Sequence, residues 1–271
     1  MMLKRLPVIA VLVVTCLLGA PLQASAMAIA NSTLDFKNLS VTPASGEILL
    51  DGSWFLETFA HADNSLGQID EHFTPGSSPD TVSASAAVTW ASATGTASAP
   101  NDPPDLVVTG LAESDVNLPG SGAAAAFGKS RSTLFNTFTL SGGGSSVDVQ
   151  FAIDISGLLN VMTDAFGLFA QTETVFTLEV DGTPILFHND LLSIGPSDSD
   201  TRSFSTHLSN TVTLAAFDLD GLPLSHSLLL EAETDPRGMV VPEPPVGLLL
   251  ITGLAALAAA RRRPVLVRLE A

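Results

Sequence analysis

Cysteine is almost missing from this sequence. Its one copy, Cys16, sits in an apolar stretch near the N-terminus, so the body of the chain has no disulfide to lean on. Exported domains often use such bridges, but a body of some 214 residues, Met27 to Val240, is large enough to build a core without them. Tyrosine is absent, and tryptophan is limited to Trp54 and Trp90. That shortage counts against a module that stacks sugars on exposed rings. Cations are scarce as well. Between Met27 and Val240 only Lys37, Lys129, Arg131, Arg202 and Arg237 stand against 26 acidic residues, a net charge near −21. Phosphate neutralisation needs Lys and Arg, so nucleic acid is excluded as a partner and anionic lipid headgroups are repelled. Also missing are the G-x-S-x-G elbow, H-E-x-x-H, a Walker loop and any repeat of solenoid or propeller period.

Long hydrophobic runs occur only at the two ends. Lys4 and Arg5 precede an apolar run, Val8 to Ala20, and the small residues Ala24-Ser25-Ala26 follow it. Residues 1–26 thus read as a signal peptide with a helical apolar core, cut by signal peptidase at Ala24 and Ala26. About 13 apolar residues are too few for a membrane anchor, which needs roughly 20. A lipoprotein cut before Cys16 would place Thr15 at the cleavage position, a poor residue there.

Period-two alternation dominates the body. Val82, Ala84, Ala86, Val88 and Trp90 form one such row. Val147, Val149, Phe151, Ile153 and Ile155 form the cleanest; Thr174, Phe176, Leu178 and Val180, and then Leu228 and Leu230, form others. Successive side chains on a strand point to opposite faces, so these rows imply one buried and one wet face. Weaker strand signals cover 34–41, 47–50, 106–111, 134–140, 184–187 and 212–217. Turn clusters punctuate them at 74–79, 101–105, 141–144 and Asp181-Gly182. The expectation for residues 27–240 is an all-β domain, an antiparallel β-sandwich of jelly-roll type. One stretch resists: Leu158, Met162, Phe166 and Phe169 have helical spacing, which allows a short helix at 158–165. The alanines at 123–126 suit a crossover or an exposed loop.

The C-terminal end has three parts in order. Pro242-Glu243-Pro244 comes first, then an apolar run over 246–260, then Arg261-Arg262-Arg263. As a helix the run covers about 22 Å, short of a 30 Å hydrocarbon core, so it crosses a membrane only marginally. The arginines stay cytoplasmic as a membrane stop, which puts the β domain outside, the side the signal peptide also demands. This pattern over residues 241–263 resembles the PEP-CTERM sorting signal of Gram-negative bacteria; the tail 264–271 is longer than usual. The resemblance implies an exosortase-like processing enzyme, a transient inner-membrane anchor through the C-terminal apolar helix, and delivery to the cell surface or an exopolysaccharide matrix. The Ser/Ala/Gly-rich, acidic body is similar in character to other such proteins, without carrying a site.

Candidate chemistry in the body is thin. His61, Asp63, Asp70, Glu71 and His72 lie within twelve residues and have metal-ligand chemistry, but a solvated loop in an acid-rich chain accounts for them better. Asp218-Leu219-Asp220-Gly221 hints at a calcium loop. In EF-hand register its first and twelfth positions fall on Ala216 and Ser227, which are not ligands, so a turn is expected. Trp54 and Trp90 are expected in the core. No catalytic residue, metal or cofactor is assigned. The expected function is therefore a non-enzymatic exported surface or matrix protein, against an alternative of a carbohydrate-binding module or carbohydrate-active enzyme with a lectin-like sandwich. Exposed aromatics beside paired carboxylates would favour the alternative; smooth faces of Ser, Thr and Ala would favour the structural role.

Overall fold

Buried side chains alternate with more exposed ones through most inner strands of the computed structural model, which describes residues 26–102, 105–119, 125–142, 144–165 and 167–240. The chain forms β1 (Ala28–Pro43), β2 (Glu47–Leu50), β3 (Phe55–Asn64), β4 (Ile69–Ser77) and β5 (Asp80–Val88). Then come β6 (Ala91–Ala99), β7 (Thr109–Leu118), β8 (Ala125–Ser141), β9 (Ser146–Thr163) and β10 (Gly167–Val180). β11 (Thr183–Ile194), β12 (Ser199–Ala215), β13 (Ser225–Thr234) and β14 (Arg237–Val240) complete it. All pairings are antiparallel. One sheet has the order β12-β9-β1-β7-β6-β5. The other has β11-β10-β13-β8-β3-β4, with β14 joining β10 to β8 and β2 extending along β8. The sheets face one another, β7 over β8, β6 over β3 and β1 over β10.

Between them lie two apolar cores. The first holds large side chains, among them Phe36, Trp54, Phe138, Phe151, Phe176 and Ile153. The second is built chiefly of alanine, including Ala28, Ala30, Ala60, Ala62, Ala84, Ala86, Ala91 and Ala93. A waist of small residues separates them: Ser32, Thr58, Ser114, Ser130, Thr174 and Thr234 are all buried. Here the sheets come unusually close. A Cβ added at Gly95 on β6 would lie 2.6 Å from the carbonyl oxygen of Arg131 on β8 in the opposite sheet. Glycine is required there because backbone stands where a side chain would go. Hydroxyls bridge the gap, Ser114 to Thr234 and Thr234 to Ser130 at 2.8 Å, while Ser132 donates to the Thr96 carbonyl at 2.8 Å.

Several expectations change. Residues 158–163 continue β9 rather than forming a helix, because Leu159 and Val161 face the core and Leu158 faces solvent. The cluster at 74–79 is mostly strand; only Ser78-Pro79, a cis bond, turns the chain from β4 into β5. Ala125 and Ala126 open β8 rather than lying in a loop. Trp54 is fully buried and its indole N–H donates to the Asp105 carbonyl at 2.7 Å. Trp90, however, sits half-buried at the β5–β6 turn with φ of 75°. Asp181-Gly182 forms the tight β10–β11 turn, with φ of 53° and 71° as a type I′ hairpin needs. The expected signal helix, Ala24, the motif Pro242-Glu243-Pro244, the apolar run and Arg261 to Arg263 lie outside the described residues.

Candidate functional site on the outer face of the second sheet

The two outer faces differ in kind. On the first sheet the outward rows of β5, β6 and β12 are mostly short polar side chains, such as Thr81, Ser83 and Ser85, Ser92, Thr94, Thr96 and Ser98, and Thr201, Ser203 and Ser205. Many bond one another, as Thr81 does Ser98 at 2.6 Å. To these β1, β7 and β9 add Asp35, Lys37, Glu113, Asp115, Asp148 and Asp154. The outer face of the second sheet carries aromatic rings and, among the described residues, four of the six ion pairs that involve Lys or Arg.

Register explains how residues distant in sequence meet there. Phe73 on β4 lies opposite Phe59 on β3, which lies opposite Arg131 on β8, itself opposite Glu233 on β13. The next row along is Pro75, Glu57, Thr133 and Glu231. Beyond it Phe55 stands opposite Phe135 and then Leu229. Arg131 donates to Glu57 at 3.0 Å, lies 3.8 Å from Glu231, and places its guanidinium 5.8 Å from the Phe59 ring centre. Lys129 pairs with Glu233 at 2.7 Å. Phe55, Phe73 and Phe135 remain exposed, so rings flank the Glu57–Arg131–Glu231 group. Burial pushes the Glu231 carboxyl above the ordinary carboxylate range, against the pull of Arg131.

At the β14 end of this face lies an open groove of about 540 Å³, lined among others by Asp63, Ile69, Phe127, Phe169, Arg237 and Met239. Arg237 is gripped by both oxygens of Asp235 (2.8 and 2.7 Å) and covers the Phe127 ring at 5.2 Å. Asp235 holds the guanidinium firmly in its charged form.

The His61–His72 cluster proves to be a hairpin face rather than a loop. His61 on β3 lies opposite Glu71 on β4. Its Nδ1 is 3.1 Å from Glu71 and its Nε2 3.2 Å from Asp63, and its ring stacks parallel to Phe59. Asp70 turns away to accept the amide of Ala87 on β5 at 2.8 Å, and this bond holds its carboxyl below the usual range. His72 lies 3.1 Å from Asp70. Both nitrogens of His61 are thus committed to carboxylates, and Asp70 to a strand edge. Among the described residues no group of three or more His, Cys, Asp or Glu is placed to hold a metal ion. Asp218 is a turn residue whose Oδ1 accepts the amides of Asp220 and Leu222, both at 2.9 Å. Ala26 is described and fully buried against the alanine core, directly before β1.

The aromatic and charged face was invisible to motif reading, because its members come from β3, β4, β8 and β13. The one signal in the sequence was that cations are rare and three of the five fall between Lys129 and Arg237 on strands of this sheet. Comparisons with protein-family models, with curated proteins and with solved structures return no match.

Proposed function

We propose that the chain is an exported surface or matrix protein, sorted through its C-terminal Pro-Glu-Pro signal by an exosortase-like enzyme after signal peptidase has removed residues 1–26. The observation that carries this reading is the agreement of the two ends in sequence. The signal peptide and the Arg261–Arg263 stop demand the same topology. The fold is compatible with it: Ala28 and Val240 belong to the same alanine-rich core, so both targeting segments adjoin one end of the sandwich. That end faces the inner membrane before release, and the large-residue end points away. The hydroxyl rows of β5, β6 and β12 on the first sheet suit a structural role. We assign the sandwich to the jelly-roll type, supported by the nesting of the β10–β11, β9–β12 and β8–β13 pairs in alternate sheets.

Changing Arg261, Arg262 and Arg263 together to Ser tests the sorting step. Loss of membrane retention and of surface delivery is expected; unaltered processing would show that the apolar run suffices alone.

A second reading rests on one observation, the exposed Phe55, Phe73 and Phe135 around Glu57 and Glu231. It is a non-catalytic polysaccharide contact on this face, with the exopolysaccharide as partner. With the face's net negative charge, neutral polymer is favoured over anionic polymer. Affinity electrophoresis in neutral and anionic polysaccharide gels tests it. Retardation lost in Phe73→Ala and Phe135→Ala supports the contact, and unretarded migration of the unsubstituted protein in both gels rejects it.

A further inference from the structure

Each sheet of the sandwich has two edges, and three of the four are guarded. β5 is short, and the amides of Ala87 within it and Thr89 just beyond it are capped by Asp70 of β4 and Gln68 of the β3–β4 turn, at 2.8 and 3.3 Å. β4 carries Pro75 and the charges of Asp70 and Glu71. β11 carries Pro184 as its second residue near a register shift, and its Ile185 carbonyl is capped by Asn210 at 3.0 Å. Proline, bulges, charge and covering side chains are the usual means of keeping an edge from pairing with another chain.

β12 has none of these along its centre. It runs from Ser199 to Ala215 without proline or glycine, and its register with β9 is unbroken over all 17 residues. At about 3.3 Å per residue this edge is roughly 56 Å long. The amides of Thr201 and Thr211 bond the side chains of Asp200 and Asn210 (2.8 and 2.9 Å), so odd-numbered amides point away from β9. Among the described residues nothing caps the amides of Ser203, Ser205, His207 and Ser209. The strand is nevertheless rigidly held. Arg202 pairs with Asp190 and Phe204 packs on His188, with ring centres 4.5 Å apart.

We propose that β12 is a self-association edge, pairing antiparallel with β12 of a second copy to join two six-stranded sheets into one. Charge and pattern select a second copy. In a body near −21, β12 holds only Asp200, Arg202 and His207, so two copies meet along a nearly neutral lane. Its outward row is hydroxyls on both sides of the centre (Ser203 and Ser205, then Ser209 and Thr211), and its inward row alternates Phe204, Leu208 and Val212 with Thr206 and Asn210. Reversing the strand about His207 therefore sets Ser203 opposite Thr211 and Ser205 opposite Ser209, hydroxyl against hydroxyl as an isologous contact requires, while on the inward row Leu208 meets Thr206 and Phe204 meets Asn210.

The test uses the full chain in detergent with Cys16→Ser, which leaves no other cysteine. Single cysteines are placed at Ser203, Ser205, His207, Ser209 and Thr211, with Ser83→Cys on β5 as reference. Oxidation is expected to give disulfide-linked dimers that peak at one β12 position and exceed the reference. Ser205→Pro removes an outward amide that β9 does not use and is expected to abolish the dimer with the thermal melt retained. Ser203→Lys with Thr211→Lys leaves every backbone bond in place and is expected to do the same by like-charge opposition. Cross-linking no greater than the Ser83→Cys reference, or dimers that survive the double-lysine change, would overturn the proposal.

Discussion

Along β1 the inward side chains run Ala28, Ala30, Ser32, Leu34, Phe36; along β3, in reverse, they run Leu56, Thr58, Ala60, Ala62. The same shift from large to small occurs at one level on β8 and β10, so one end of the sandwich is filled largely by rings and branched chains and the other chiefly by alanine methyls. Burial of apolar surface contributes roughly 25 cal/mol per Å², so each ring-end residue adds several times what an alanine adds. The alanine end instead depends on close approach of backbones and on ladder hydrogen bonds. It is therefore the end expected to open first, and it is also the end where Ala28 and Val240 lie.

The largest expected effect lies at the ring end. Phe138→Ala, which strips a fully buried ring in contact with Phe151 and His226, should cost about 3–5 kcal/mol in denaturant unfolding. Ala62→Gly at the other end should cost only about 1 kcal/mol. Equal losses would break the comparison.

Gly95→Ala comes next, at about 1–3 kcal/mol, because its methyl meets the Arg131 carbonyl across the waist and the sheets must part. A neutral result would mean the waist is looser than drawn. Smaller, and opposite in sign, is Thr174→Val. The Thr174 hydroxyl is buried with no partner, so an isosteric methyl should stabilise by about 1 kcal/mol. A loss of stability would show that the hydroxyl layer is satisfied in a way the geometry does not reveal.

The smallest effect is the pH dependence. Burial raises the carboxyls of Asp115 and Glu231, with Glu113 adding to the first. Raised carboxyls bind protons more readily folded than unfolded, so stability should grow as pH falls from neutral into their range. Asp154 is held low, chiefly by the Asn38 amide and by His207, and Asp70 by the Ala87 amide; their contribution is lost at still lower pH. Thermal melts should therefore show a maximum in mild acid. A steady decline from pH 7 downward would contradict this.

How much of this was legible depends on side-chain size. β9, β10 and β13 stood out because Val, Ile, Phe and Leu alternate with polar residues. β6 went unread because Ala-Ser-Ala-Thr-Gly-Thr-Ala offers almost no contrast in hydropathy, although its inward residues are as buried as any. β4 was masked by Pro75-Gly76, which look like a turn and lie in an edge strand. The helical spacing from Leu158 onward arose because an outward leucine happened to fall in step with Met162. The face around Arg131 needs partners from 74 and 98 to 100 residues away, Glu57 and Glu231 among them, and no local pattern encodes that register. The proposed targeting ends could be read from sequence because a linear signal is a local pattern that needs no register between distant strands.

The central claim is that this sandwich is cut free at both ends on its way out of the cell. Intact-mass and terminal-peptide mass spectrometry of the mature surface form, taken from an exosortase-bearing host, measures this directly. The account expects an N-terminus near Met27 and loss of the segment after Pro244. A mature surface form that still ends at Ala271 would contradict it.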